Sequence, residues 1–184
     1  MLVEVLLPAA PQRFDEVTII VNVLFLCTGN SARSILGEVL LNELGAGRVR
    51  AYSAGSHPAG KVNPGAIAKL DAEGHSVAGL ASKSWDVFTG ADAPAFDIVI
   101  TVCDSAAGES CPIWNGSPVT VHWGIPDPAG IDDPGASRAA FDRAYTQLRT
   151  RIAAMLELPL EACDAAAIRS ALAGIHEAQA GLDA

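Results

Sequence analysis

The run Val23-Leu24-Phe25-Leu26-Cys27-Thr28-Gly29-Asn30-Ser31-Ala32-Arg33-Ser34 decides how this chain is read. Its first half is an apolar stretch of the kind that forms a strand buried on both faces. Its second half is a tight loop opening on a cysteine, with Gly29 and Asn30 suited to unusual backbone angles and Ser34 at a helix start. Five residues separate Cys27 from Arg33. In such a loop the backbone N–H groups of Thr28, Gly29, Asn30, Ser31 and Ala32 can turn inward together, and the helix N-terminus adds its positive end. That makes a cradle for a tetrahedral oxyanion. The same field favours the thiolate of Cys27, its nucleophilic form, and the planar fork of Arg33 can grip two oxygens at once. The Cys-x5-Arg spacing alone arises by chance, and a cysteine after a strand often only fills core. The strand end, the Gly29-Asn30 pair and the helix start set this one apart.

Working outward, the strand is read from Thr18 to Leu26, followed by a helix from Ser34 to Leu44 with Ile35, Leu36, Val39, Leu40 and Leu44 on one face. Val49 to Ser53 reads as a second strand. Asn63-Pro64 starts a helix that runs to about Glu73 and stops at Gly74. Asp97 to Val102 is a third buried strand, delivering Cys103. Val119 to Trp123 is a fourth, delivering the loop Gly124-Ile125-Pro126-Asp127-Pro128-Ala129-Gly130. A long helix from about Ser137 to Leu156 follows, with Phe141, Tyr145, Leu148, Ile152 and Met155 as its buried stripe. The tail from Cys163 reads as another helix, with Ile168, Leu172 and Ile175 on one side, packed on the domain or on a partner chain. Alternating strands and helices imply an α/β fold: a four-stranded parallel sheet with right-handed crossovers, flanked by helices in three layers. Ligands of such sheets bind beyond the carboxyl ends of the strands, the rim where Cys27, Cys103 and Asp127 all fall. The expected divisions are an extension over 1–17, the main domain over 18–158 and a helical tail over 159–184.

The 184 residues, half of them hydrophobic and 18% charged, suit one globular domain with a proper core. The net charge of −9 argues against nucleic acid or an anionic membrane as partner, and makes a local site necessary for any anion. No stretch approaches the ~18 apolar residues of a membrane span, and the start lacks the basic region of a secretory signal, so a cytoplasmic location is expected. Four cysteines there point to catalysis or chance rather than a static disulfide framework, and no Cys/His spacing suits a metal.

Asp127, stiffened by Pro126 and Pro128, faces the expected anion site and suits a general acid that protonates a departing oxygen; its plain alternative is a turn residue. Asp132 and Asp133 are its rivals. Cys103 and Cys111 flank a small-residue stretch, 104–110, read as a loop. Neighbouring strands lie ~4.8 Å apart, so Cys103 can attack the Cys27 sulfur if their strands are adjacent. Cys111 can follow if its segment rearranges. Cys163 reads as a small apolar filler. His57, His75, His122 and His176 show no partner pattern, and Trp114 and Trp123 are expected to pack around the site loops.

From Val21 to Leu156 these residues resemble the arsenate reductases built on the low-molecular-weight protein tyrosine phosphatase fold. The likeness rests on Cys27 to Ser34, on Tyr52-Ser53-Ala54-Gly55, on Thr101-Val102-Cys103 and Cys111-Pro112, and on His122 to Gly130. It implies that Cys27 attacks arsenate held by the loop and Arg33, with Ser34 supporting the thiolate and Asp127 protonating the departing oxygen. Cys103 then attacks Cys27, expelling arsenite, and Cys111 attacks Cys103. It implies no tightly bound cofactor, but an external thiol reductant: thioredoxin, glutaredoxin or a low-molecular-weight thiol. Phosphate would bind as an analogue. Some members hold a monovalent potassium ion behind the loop. Asn30, Glu38 and Ser53 resemble that site, and the Lys83 ammonium is the alternative occupant. Two other readings stay open at this stage: a phosphatase of phosphotyrosine or small phosphomonoesters, and a non-catalytic oxyanion or redox sensor. Ala129 and Gly130 stand where such phosphatases usually carry aromatics.

Overall fold

The computed structural model describes residues 20–109 and 111–183, so the 1–17 extension and the first two residues of the expected strand lie outside the described residues. The described chain runs β1 (Val21–Cys27), α1 (Arg33–Leu44), β2 (Val49–Gly55), α2 (Pro64–Ala72), a 3₁₀ turn (Trp85–Phe88), β3 (Phe96–Thr101), α3 (Asp104–Gly108), β4 (Gly116–His122), α4 (Pro134–Leu156) and α5 (Ala165–Asp183). The four strands form one parallel sheet in the order β2-β1-β3-β4. β1 is central because its apolar run can be covered on both faces. The pleat sends Val23 and Phe25 to one side, into a core shared with α1, α2, α4 and α5. Leu24 and Leu26 go to the other, where the 3₁₀ turn and an aromatic group of Phe88, Phe96 and Trp114 close the sheet. Trp114 thus packs edge-on against Phe96 in this second core rather than around the site loops.

Local chemistry sets the boundaries. Asn63 caps α2 by accepting the Gly65 N–H at 2.8 Å, with Pro64 in the first turn. Asp133 caps α4 in the same way, accepting the Ala136 N–H at 2.7 Å, and so starts that helix before Ser137. Leu41 takes the buried place expected of Leu44, which ends α1 exposed. The segment between Cys103 and Cys111, expected as a loop, contains α3. Its cap is the Cys103 thiol, whose Sγ accepts the Ala106 N–H at 3.4 Å. The tail helix α5 packs on this chain's own β4 and α4, burying Ile168 and Leu172. No helix among the described residues is long and apolar enough to cross a membrane.

Candidate active site

Cys27 ends β1, and the loop after it folds back on its sulfur. Ser34 Oγ lies 2.9 Å from Cys27 Sγ, and the Asn30 N–H donates to the same sulfur at 3.1 Å. Asn30 reaches this geometry with φ of 41°, in the left-handed region that asparagine tolerates. Its buried side chain holds the turn from behind: Nδ2 donates to Ser34 Oγ at 3.0 Å and to Ser53 Oγ at 2.9 Å, and Oδ1 accepts the Lys83 N–H at 2.8 Å. α1 then begins with no side-chain cap, leaving its first amides to the loop. Burial pushes the Cys27 thiol above its ordinary value, and the hydrogen bonds from Ser34 and Asn30 oppose that shift without reversing it. The expectation that the loop favours the thiolate is corrected to that extent: desolvation of the sulfur outweighs its local donors.

The end of β2 leaves no room for a side chain against this loop. A Cβ on Gly55 would lie 2.4 Å from the Thr28 carbonyl oxygen and 2.9 Å from the Asn30 nitrogen, both backbone atoms that cannot swing aside. Gly55→Ala is therefore expected to displace the loop, lowering stability by ~1–3 kcal/mol, the usual cost of overpacking, and weakening phosphate binding at the same time. Urea unfolding and a phosphate titration check both parts. Unchanged values in the two would show that the loop yields freely.

A cavity of about 700 Å³ opens above the strand ends, lined among others by Cys27, Gly29, Arg33, Cys103 and Asp127. Thr28, Ser31 and Ala32 also face it, whereas Asn30 and Ser34 stand behind the loop. The Arg33 fork donates to the Ile125 carbonyl and pairs with Asp127, each at 2.9 Å. The Asp127 side chain is 53% exposed against 14% for Arg33, so the carboxyl is the partner open to solvent. Its other oxygen accepts the Ala129 N–H at 3.0 Å, which fixes the loop around it. The rivals separate here: Asp133 is occupied as the α4 cap, and neither it nor Asp132 lines the cavity.

Cys103 follows β3, which pairs directly with β1 in parallel register. Its sulfur is buried and lies 3.6 Å from Thr28 Oγ1, beside the Cys27 loop. Cys111 is exposed beyond α3 and does not line the cavity, and both partial desolvation and the Glu109 charge push its thiol up. Cys163 packs partly buried against the main core, as a filler would. Two histidines without a pattern in the sequence do reach the cavity. His122 ends β4 with Nδ1 2.9 Å from Thr101 Oγ1 and Nε2 3.1 Å from Asp104 Oδ1. His176 comes in from α5. The strand-end position of His122 was the one signal available for it. His176 had none, because it depends on where α5 docks.

Behind the loop, the Lys83 ammonium lies 3.2 Å from Glu38 Oε2, 3.3 Å from Ser53 Oγ and 3.4 Å from the Ala81 carbonyl. Ser53 also donates to Glu38. A bridge between Gly55 and Ser84 brings Lys83 there.

The sequence pattern of the family described as low molecular weight phosphotyrosine protein phosphatase matches residues 22–165. An arsenate reductase of Bacillus cereus is 34% identical over 134 residues, covering 73% of this chain and 92% of that one. Among solved structures, an arsenate reductase from Archaeoglobus fulgidus aligns with a TM-score of 0.54 at 29% identity, covering 71% of this chain and 98% of its own. A thioredoxin-dependent arsenate reductase of Corynebacterium glutamicum aligns at 0.53 and 26%, covering 73% of this chain and 61% of its own.

Proposed function

Because the chain belongs to the low molecular weight phosphotyrosine protein phosphatase family, with arsenate reductases as its relatives within it, we propose that it reduces arsenate to arsenite through Cys27, Cys103 and Cys111. The observation that carries this reading is the presence of two cysteines, Cys27 and Cys103, in one cavity at adjacent strand ends. A phosphatase needs only the first.

Arsenate entering the cradle competes with the Asp127 carboxyl for the Arg33 fork and frees that carboxyl to act on the bound oxyanion. The Cys27 thiolate attacks arsenic, a sulfur–arsenic bond forms, and one oxygen departs as water with a proton handed over by Asp127. Ser34 and the Asn30 N–H stabilise the Cys27 sulfur whenever it carries charge. The Cys103 thiolate then attacks Cys27 Sγ. A sulfur–sulfur bond forms, the sulfur–arsenic pair passes to arsenic, and arsenic(V) leaves as arsenic(III). Cys111 attacks Cys103 and releases Cys27, so the two electrons come from the Cys103/Cys111 pair. An external thiol restores them. A thioredoxin-type donor is supported by the Corynebacterium relative described as thioredoxin-dependent. Of the donors that the family resemblance gave to a monovalent cation, Glu38 and Ser53 are engaged by the Lys83 ammonium and Asn30 by the Lys83 backbone N–H, and we assign the positive charge there to Lys83.

Multiple-turnover arsenite production with thioredoxin, glutaredoxin plus glutathione, or a small thiol supplied in turn tests the reading. Hydrolysis of phosphate esters without arsenite release would favour the phosphatase instead. The small Ala129 on the cavity wall, where an aromatic would be needed to stack on a phosphotyrosine ring, weighs against that outcome. Asp127→Asn is expected to slow arsenite formation by ~10²–10⁴-fold, the usual worth of a positioned general acid. A wild-type rate in that variant would move the proton to solvent.

A further inference from the structure

The match to the family ends at residue 165, where α5 begins, yet α5 reaches the reaction cavity. Its anchor is Leu172, fully buried, whose carbonyl accepts the Trp123 indole N–H at 3.0 Å. One helical turn further, on the same face, stands His176. Its ring meets His122 edge-on, with centroids 6.0 Å apart and planes at 69°. Its Nδ1 is buried with no hydrogen-bond partner among the described residues, so the contact is one of packing. His122 in turn bonds on both flanks of Cys103: to the buried Thr101 two residues before it and, at the surface, to the exposed Asp104 side chain immediately after it. Trp123, next to His122, is itself fully buried under α5.

We infer that α5 is a working part of this centre: His176, packed on His122, keeps that ring bonded to Thr101 and Asp104 and so holds Cys103 in line for Cys27. Both histidines are positioning residues for the second step, in which the sulfur–sulfur bond forms and the sulfur–arsenic pair passes to arsenic. The inference rests on the arsenate reading for that step, but its geometric content does not need arsenate.

Two measurements test it on the full chain. In a Cys111→Ser background, the rate at which arsenate drives formation of the Cys27–Cys103 disulfide is followed by acid quench and mass spectrometry. His176→Ala is expected to slow it ~10–10²-fold, the scale of a misplaced reacting group. His122→Ala should do the same, and the double variant no more, because one residue acts through the other. His176→Phe, which keeps a ring against His122, should recover most of the rate and carries the test if the alanine variant does not fold. Without arsenate, native alkylation of Cys103 by iodoacetamide should quicken several-fold in His176→Ala while that of Cys163 does not change. Unchanged disulfide formation and Cys103 alkylation in His176→Ala, additive losses in the double variant, or a folded His176→Phe as slow as His176→Ala, would each overturn the inference. Failure of the histidine-intact protein to form the disulfide would sink the arsenate reading instead, and the alkylation arm would still decide on α5.

Discussion

Cys27→Ser is expected to reduce arsenite production and any phosphate-ester hydrolysis to background. A serine hydroxyl is a far weaker acid than a thiol and gives up its proton much less readily, and the groups at this sulfur are donors or shared hydroxyls rather than bases: Ser34 Oγ at 2.9 Å and the Asn30 N–H at 3.1 Å. Among the described residues, no histidine or carboxylate hydrogen-bonds to it. The loop should survive the change, since Asn30 holds it through Ser34, Ser53 and Lys83 independently of the sulfur. Phosphate binding is therefore expected to persist in the inactive variant, which separates loss of nucleophile from loss of fold. Wild-type turnover in Cys27→Ser would refute covalent attack at this position.

The second large effect divides the relay at its joints. Cys103→Ser should stop arsenite formation, because no second thiol then lines the cavity to attack the adduct on Cys27, while any phosphate-ester hydrolysis should continue through attack of water. Cys111→Ser should give about one arsenite per chain, the stoichiometry of a relay halted at its first disulfide. That disulfide would join Cys27 and Cys103, which stand beyond the neighbouring parallel strands β1 and β3 at the same end of the sheet. Non-reducing mass spectrometry reads it directly. Continuous turnover in both variants would mean that an external thiol attacks Cys27 itself.

Much of this centre was legible in the chain because its signals are local. A parallel central strand must be apolar along its length, and the spacing from Cys27 to Arg33 fixes a loop without reference to the rest of the fold. The strand-end position of Cys103 needed only the alternation of strands and helices, whereas the adjacency of its strand to that of Cys27 is set by the sheet order. Other parts required contacts that sequence does not display. α3 is too short for a hydrophobic period, and its cap is a thiol rather than one of the usual hydroxyls or carboxyls. The thiol of Cys27 was expected to be poised by the loop, but burial of the sulfur is a tertiary effect and prevails. Arg33 was read as a fork for the anion; its pairing with Asp127 depends on the path of a loop nearly a hundred residues away in the chain. His176 was invisible because the amphipathic pattern of α5 fits a partner chain as well as its own β4.

The cap of α3 has one more effect. A helix of five residues does not hold itself in water, and this one is secured at its start by the Cys103 sulfur accepting the Ala106 N–H. Once that sulfur is drawn into a bond with another cysteine, the acceptor is withdrawn and α3 is expected to loosen. Each catalytic cycle would then be written into the chain as a brief loss of order, and the oxidised protein should be clipped after Glu109 by a glutamate-specific protease sooner than the reduced one. Susceptibility to cutting at a single peptide bond would serve as a gauge of how much of the enzyme in a sample is waiting for electrons.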